Sequence, residues 1–281
     1  MRRLVSVSCF PLVLGGAVWL WVETGSVVAP LLIAAGCIAL LERVLPLHAS
    51  WNRSRDDEVT DLLHTGLSTL IVPELTAALC FGALAVVGAA VSGWLGMGLW
   101  PDAWPLGGQV VLALVIAEFG QYWVHRIAHE RSAWLWRLHA VHHSAHRLYW
   151  LNSGRFHPLD NLLLYLASSV PLVLMGVGAE ALAGALLVTG VHGMFQHANI
   201  DLRLGPLNYV FSMAELHRFH HSLDTDQANH NYGANLIGWD LLFGTFYWPD
   251  EPPPEQVGLG DAPDYPQTWW AQIAAPFRGI G

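Results

Sequence analysis

The sequence predicts an all-α, multi-span integral membrane bundle with a histidine-rich helical cap on its cytoplasmic side. Three observations carry this expectation. Hydrophobic residues make up 53% of the 281 residues and charged ones only 12%, against ~25% charged in an average soluble domain. Apolar runs close to the ~20 residues that cross a hydrocarbon core recur along the chain. Histidines gather at the margins of the later runs.

In order, the runs span roughly 4–22, 26–42, 64–92 and 106–124, then a pair at 160–176 and 179–196 divided by Gly176–Gly178. Met1-Arg2-Arg3 before an apolar run imitates a signal peptide, but no polar cleavage region follows, so a retained first helix is expected. The third run is long and interrupted by Pro73, which predicts a tilt or bend. The final pair is short enough for a hairpin that enters the bilayer and returns. All 13 basic residues are Arg. With the N-terminus inside, every one falls on the inner segments 1–3, 43–63, 125–159 and 197–281, and the outer connections hold none. Such asymmetry places the histidine clusters at the cytoplasmic face.

The formal charge of −9 comes largely from residues 56–61 and from a Pro-rich, acidic tail after Pro249, which argues against nucleic acid as a partner. Cys9, Cys37 and Cys80 all lie in apolar runs, so neither a disulfide framework nor a CxxC site is expected. The expected organisation is a transmembrane hairpin and linker over 1–60, a histidine-bearing region over 61–248, and a tail over 249–281. That tail reads as mostly irregular, with an interfacial patch at Trp269-Trp270.

Four clusters hold ten histidines: His125 and His129; His139, His142 and His143; His192 and His197; His217, His220 and His221. Neutral imidazole is a ligand for iron, zinc and copper. Residues at i, i+3 and i+4 share a helical face, so each HxxHH group is expected to converge on one side. His192 and His197 stand about 140° apart on an ideal helix, which requires a π-bulge or a helix end between them. Adjacent histidines in apolar surroundings otherwise carry a desolvation cost. Ten imidazoles are too many for one ion and suit two, with four or five each. Structural zinc favours cysteine ligands, and none is available. A zinc peptidase needs HExxH, but His129-Glu130 continues as Arg131-Ser132-Ala133. No Glu-x-x-His of the soluble di-iron bundles occurs either. An all-imidazole, oxygen-reactive iron pair remains the good fit.

The order HRIAH, HAVHH, FQHANI, HRFHHS, then NYGANLIGWDLLFGTF resembles the sterol desaturase and fatty acid hydroxylase superfamily over roughly residues 60–248. The last histidine cluster joined to the NYG and WD-x-x-FGTF elements is its most specific part. The resemblance implies an integral membrane, O2-dependent enzyme with two iron ions (Fe2+), a lipid substrate and an external electron-transfer chain. It matches His125, His129, His139, His142, His143, His197, His217, His220 and His221 to ligand positions, with His192 a weaker match by spacing. Region 61–248 then becomes a fatty acid hydroxylase-like catalytic domain. Acyl-CoA desaturases usually have four residues inside their first histidine box, where three stand here, which favours the hydroxylase and sterol-oxidase branch.

Around the clusters, His157 could be an eleventh ligand, but ten suffice, so it is expected to hydrogen-bond near the metal site. Asp160 either orients it or caps the helix that begins the 161–176 run. Glu118, a carboxylate inside an apolar run, is expected to accept an N–H from a ligand imidazole. Asn231 and Asp240 are expected to brace the site from its C-terminal side, or to pack an interfacial turn. His48, His64 and His230 read as ordinary polar residues. The leading reading is hydroxylation of a lipid C–H bond, on a fatty-acyl or polar membrane lipid. Desaturation by the same oxidant is the alternative, and a metal-binding membrane protein or transporter is a second one from another class.

Overall fold

A computed structural model describes residues 2–281. Met1 and the side chains of Arg2, Arg3 and Cys80 lie outside the description, and so do the readings of the basic N-terminus and of Cys80 as a packing residue. Among the described residues every regular element is helical, and extended backbone pairs only at three isolated bridges.

All six apolar runs become helices. They are α1 (Arg2–Thr24), α2 (Val28–Val44), the third run described below, α5 (Leu106–Glu130), α7 (Pro158–Met175) and α8 (Ala179–His197). The third run is longer than its apolar pattern. It starts as α3 (Glu58–Gly66), passes through a π-helical turn at Leu67–Ile71 and continues as α4 (Val72–Leu95). The irregularity falls where Pro73 has no N–H to return to the preceding turn, so the ladder widens just before it. Among the described residues four stretches are long and apolar enough to cross a membrane: Leu4–Thr24, Glu58–Leu79, Leu106–Glu130 and Pro158–Met175. Of the six expected spans, four meet that length and composition among the described residues, and α2 and α8 pack against α1 and each other. Gly176, at φ 81°, ends α7 and leads the chain into α8.

α7 lies against α4 and α5, and α8 against α1, α2 and α5. Small residues allow the closest approach. A Cβ at Gly120 of α5 would collide with the Ala167 carbonyl of α7, and one at Gly88 of α4 with the Leu174 carbonyl. Phe10, Ile38, Leu187, Val191 and Phe195 form part of the apolar core, while Leu12, Leu32, Leu70 and Val86 point outward. Apolar residues on both sides of a helix are what lipid solvent permits.

At one end of the bundle sit α6 (Ala133–His143), α9 (Ala214–His220), α10 (Thr225–Ala228), α11 (Gly238–Phe243) and α12 (Trp269–Ala274). The irregular tail folds back onto this cap. Gly258 N–H donates to the His221 carbonyl at 3.1 Å, Trp51 Nε1 donates to the Glu255 carbonyl at 3.2 Å, and Gln272 is fully buried. Trp270 remains 76% exposed.

Candidate metal centre

Nine of the ten histidines converge in two groups. His125, His129, His139, His143 and His220 form one; His142, His197, His217 and His221 form the other. In each group one potential ligand atom per residue lies within 4.8 Å of all the others. The HxxHH boxes do not each face one way, as their spacing had suggested. In α6, His139 and His143 enter the first group and His142 the second; in α9, His217 and His221 enter the second and His220 the first. Residues i and i+4 differ by about 40° around a helix, but adjacent residues differ by about 100°, so each box divides the same way. The crossing sets the groups side by side, with the His143 and His221 rings stacked at 4.3 Å between centroids.

Each tether of an imidazole leaves the other nitrogen free. His125 Nδ1 donates to the Tyr232 carbonyl at 2.8 Å, His220 Nδ1 to the His230 carbonyl at 2.8 Å and His139 Nδ1 to Asp160 Oδ2 at 2.9 Å. His129 Nδ1 reaches Asn229 Oδ1 at 3.3 Å. All five Nε2 atoms of this first group are buried without a hydrogen-bond partner. Orphaned buried lone pairs are costly, and five aimed at one point fit a cation. In the second group His142 Nδ1 donates to the Arg155 carbonyl at 3.1 Å and His197 Nδ1 to Asn152 Oδ1 at 3.1 Å. His217 Nε2 stands 3.0 Å from Nε2 of both His197 and His221. One proton satisfies at most one of these contacts well, so a lone pair faces a lone pair unless a cation is shared. Two ligand nitrogens at right angles, each ~2.1 Å from an ion, stand ~3 Å apart. The residues present therefore fit two metal ions. The Nδ1 atoms of His217 and His221 have no partner.

Burial first, and then neighbouring imidazoles, hold His142, His143, His217 and His221 well below the ordinary imidazole range. His220 is pushed down to about 3 by burial, then by His139. Neutral rings are the form that ligates a metal.

His192 does not join either group. α8 is regular through to His197, and no π-bulge realigns the pair, so His192 points away and packs edge-on to Phe10 at 5.8 Å. Its ring also lies 6.0 Å from Phe211.

Several neighbouring residues hold unexpected positions. His157, not Asp160, caps α7, its Nδ1 accepting from Leu159 N–H at 3.2 Å, while Asp160 binds His139. Among the described residues Glu118 hydrogen-bonds to the 234–235 backbone and the Asn235 side chain rather than to an imidazole. It accepts from the backbone N–H groups of Ala234 and Asn235, the latter at 2.9 Å to Oε2, and so fixes the loop whose Tyr232 carbonyl holds His125. Asp240 accepts from Tyr232 and Gly233 N–H groups at 2.8 Å, and its carboxyl is raised by burial to about 6. Asn231, at φ 56°, spans Leu216 and Tyr247 from the same side. Three contributors carry no sequence signal: Asn152 and Asn229 act through side-chain oxygens, and His230 through its carbonyl. A buried pair, Arg155 with Asp61, fixes the segment that presents its carbonyl to His142. Tyr149 donates to Asp61 at 2.7 Å. The expected bland role of His64 gives way to a buried brace, 2.9 Å from both the Phe156 carbonyl and Gln272 Oε1.

A cavity of about 340 Å³ runs from this centre between α5, α7 and α8, and His125, His139, His142, His197 and His217 stand at its inner end. Its walls further out are largely aliphatic, including Leu114, Leu164, Leu172 and Leu186.

Residues 110–245, which include every histidine of both groups, match the fatty acid hydroxylase family. An ornithine lipid hydroxylase, OlsE, of Rhizobium tropici is 40% identical over 247 residues, 87% of this chain and 73% of that protein. The chain belongs to the fatty acid hydroxylase family. Alkylglycerol monooxygenase of Homo sapiens is 31% identical over 134 residues, 48% of this chain but only 29% of its own. Methylsterol monooxygenase 2-2 of Arabidopsis thaliana is 29% identical over 140 residues, 49% of this chain and 52% of that protein. No solved structure matches the chain. Fatty acid hydroxylase family membership makes this a membrane oxidoreductase of lipids, and its histidine centre lies inside the matched region.

Proposed function

We propose that this protein is an O2-dependent di-iron lipid hydroxylase acting on a polar membrane lipid, with its histidine centre at the cytoplasmic face. The observation that carries the reading is the convergence of nine imidazoles, eight of them buried, on two adjacent points at the inner end of an apolar cavity. The similarity to an ornithine lipid hydroxylase over most of both chains favours an amino-acid-containing lipid. When bound, two iron ions would supply the O2 chemistry that puts one oxygen into a C–H bond, with two electrons drawn from a separate donor chain.

The chain's own residues do the rest. His125, His129, His139, His143 and His220 would hold one ion, and His142, His197, His217 and His221 the other. Asp160, Asn152 and the carbonyls of Arg155, His230 and Tyr232 keep Nδ1 of His139, His197, His142, His220 and His125 protonated and aim those rings inward. The aliphatic walls exclude water and seat the lipid chain beside the ligands. The one-sided arginines favour a cytoplasmic centre, where reduced electron carriers are available.

Lipids from cells expressing the protein under O2 should gain one oxygen atom. That gain should vanish in His142→Ala and His220→Ala. A product short of two hydrogens would make it a desaturase instead. Full turnover in both variants would refute the metal assignment.

A further inference from the structure

The cavity wall is not uniformly greasy where it meets the histidines. Asn235 is 5% exposed, and its Nδ2 donates to Glu118 Oε2 at 3.1 Å. Backbone N–H groups of Ala234 and Asn235 converge on the same carboxyl, which makes it the acceptor and sets which end of the amide faces it. The other end, Oδ1, is buried, without a hydrogen-bond partner, on a residue that lines the cavity. Gln121 lines the cavity too, and its Oε1 is likewise sealed and unpaired. It precedes His125 by four residues on α5, so its amide sits on the same face, ~6 Å along the axis. Hence two buried acceptors await donors, that of Gln121 one helical turn from His125.

An unpaired buried acceptor is costly, and a lipid chain offers nothing to relieve it. Among the described residues no carboxylate lines the cavity, so a full cation would enter without a counter-charge on its wall. The matching group is a neutral donor. We infer that Gln121 and Asn235 are specificity-determining residues that accept hydrogen bonds from an amide N–H or hydroxyl of the substrate, placing its polar linkage rather than its chain end beside the metal centre. This rests on the reading of the site as a lipid oxygenase and adds the substrate class: lipids with an uncharged donor near the oxidised carbon.

Binding rather than turnover tests it. The full-length protein, loaded with zinc and held in lipid nanodiscs, would be titrated with two lipid pairs of equal chain length. One pair is an N-acyl amino-acid lipid and its ester analogue; the other is a lipid alcohol and its methyl ether. Wild-type protein should bind the donor-bearing member of at least one pair about tenfold more tightly, the effect of one well-placed hydrogen bond. Gln121→Met, close in shape and without an acceptor, should shrink that preference to threefold or less. Gln121→Glu should retain it. Absence of preference in wild type for both pairs overturns the inference without any variant. An unchanged preference in Gln121→Met, with metal content and melting intact, overturns the role of Gln121. Failure to oxygenate lipid, by contrast, would leave this binding result standing, so the two readings fail separately.

Discussion

Asp160 shows how a single side chain acts through another. Its Oδ2 takes the Nδ1–H of His139 at 2.9 Å, and both groups are almost fully buried. The carboxylate fixes the tautomer and raises the basicity of the nitrogen facing the first group. Asp160→Ala should lower metal affinity ~10–100-fold, read by competition with a chelator, while the fold persists. The same burial makes the metal-free protein acid-sensitive. His220 has a folded-state pKa of about 3 against an ordinary 6.5. Below the ordinary value the unfolded chain takes up a proton that the folded one refuses. Its contribution to stability is therefore complete above about 6.5 and erodes, by up to ~1.4 kcal/mol per pH unit, as pH falls towards 3. Thermal melts of chelated protein from pH 7 to 4 check this; a flat profile would contradict it. At this scale sequence spacing reads ligands better than their supports. Nine histidines announce themselves by clustering, but Asn152 lies in a short 3-10 turn, and Asn229 and the His230 carbonyl in loops. Their role depends on which ring nitrogen happens to face them.

At the scale of elements, hydropathy shows where the apolar helices lie but not how they join. The 64–92 run gives no sign of beginning at Glu58, because the first turns of α3 carry Asp61 and His64, both buried against the cap. The Pro73 irregularity is legible, since a missing N–H has a local effect. The split of each HxxHH box is legible only once two facing helices are set together, because a single helix shows one face, not two partners. His192 illustrates the opposite error: a motif spacing invites a helix defect that α8 does not contain. Close helix approach is the element-scale property most open to test. Gly120 faces the Ala167 carbonyl with no room for a Cβ. Gly120→Val should separate α5 from α7, destabilise the protein by ~1–3 kcal/mol in a detergent melt, and loosen the cavity wall near Gln121. Equal melting of the variant and wild type would show that the helices are not so tightly apposed.

For the whole molecule, membrane class and family were legible from composition and from the chain of motifs between His125 and Phe246. The closure of the centre was not. The acidic tail reads as an appendage, yet Val257–Gly258 pairs with Ser222 and His221, and Gln272 reaches His64 beneath α6. Such long-range docking has no periodic signature. It makes the centre a sealed room built by both ends of the matched region and the tail beyond it, with the lipid cavity as the apolar approach.

The central claim is that buried rings from α5, α6, α8 and α9 grip two irons side by side. Elemental analysis of the purified protein after anaerobic Fe(II) loading tests it most directly. Wild type should hold two irons per chain, and His139→Ala and His217→Ala, one from each group, should each fall to about one. A wild-type value of one or none, or two irons retained in both variants, would contradict the account.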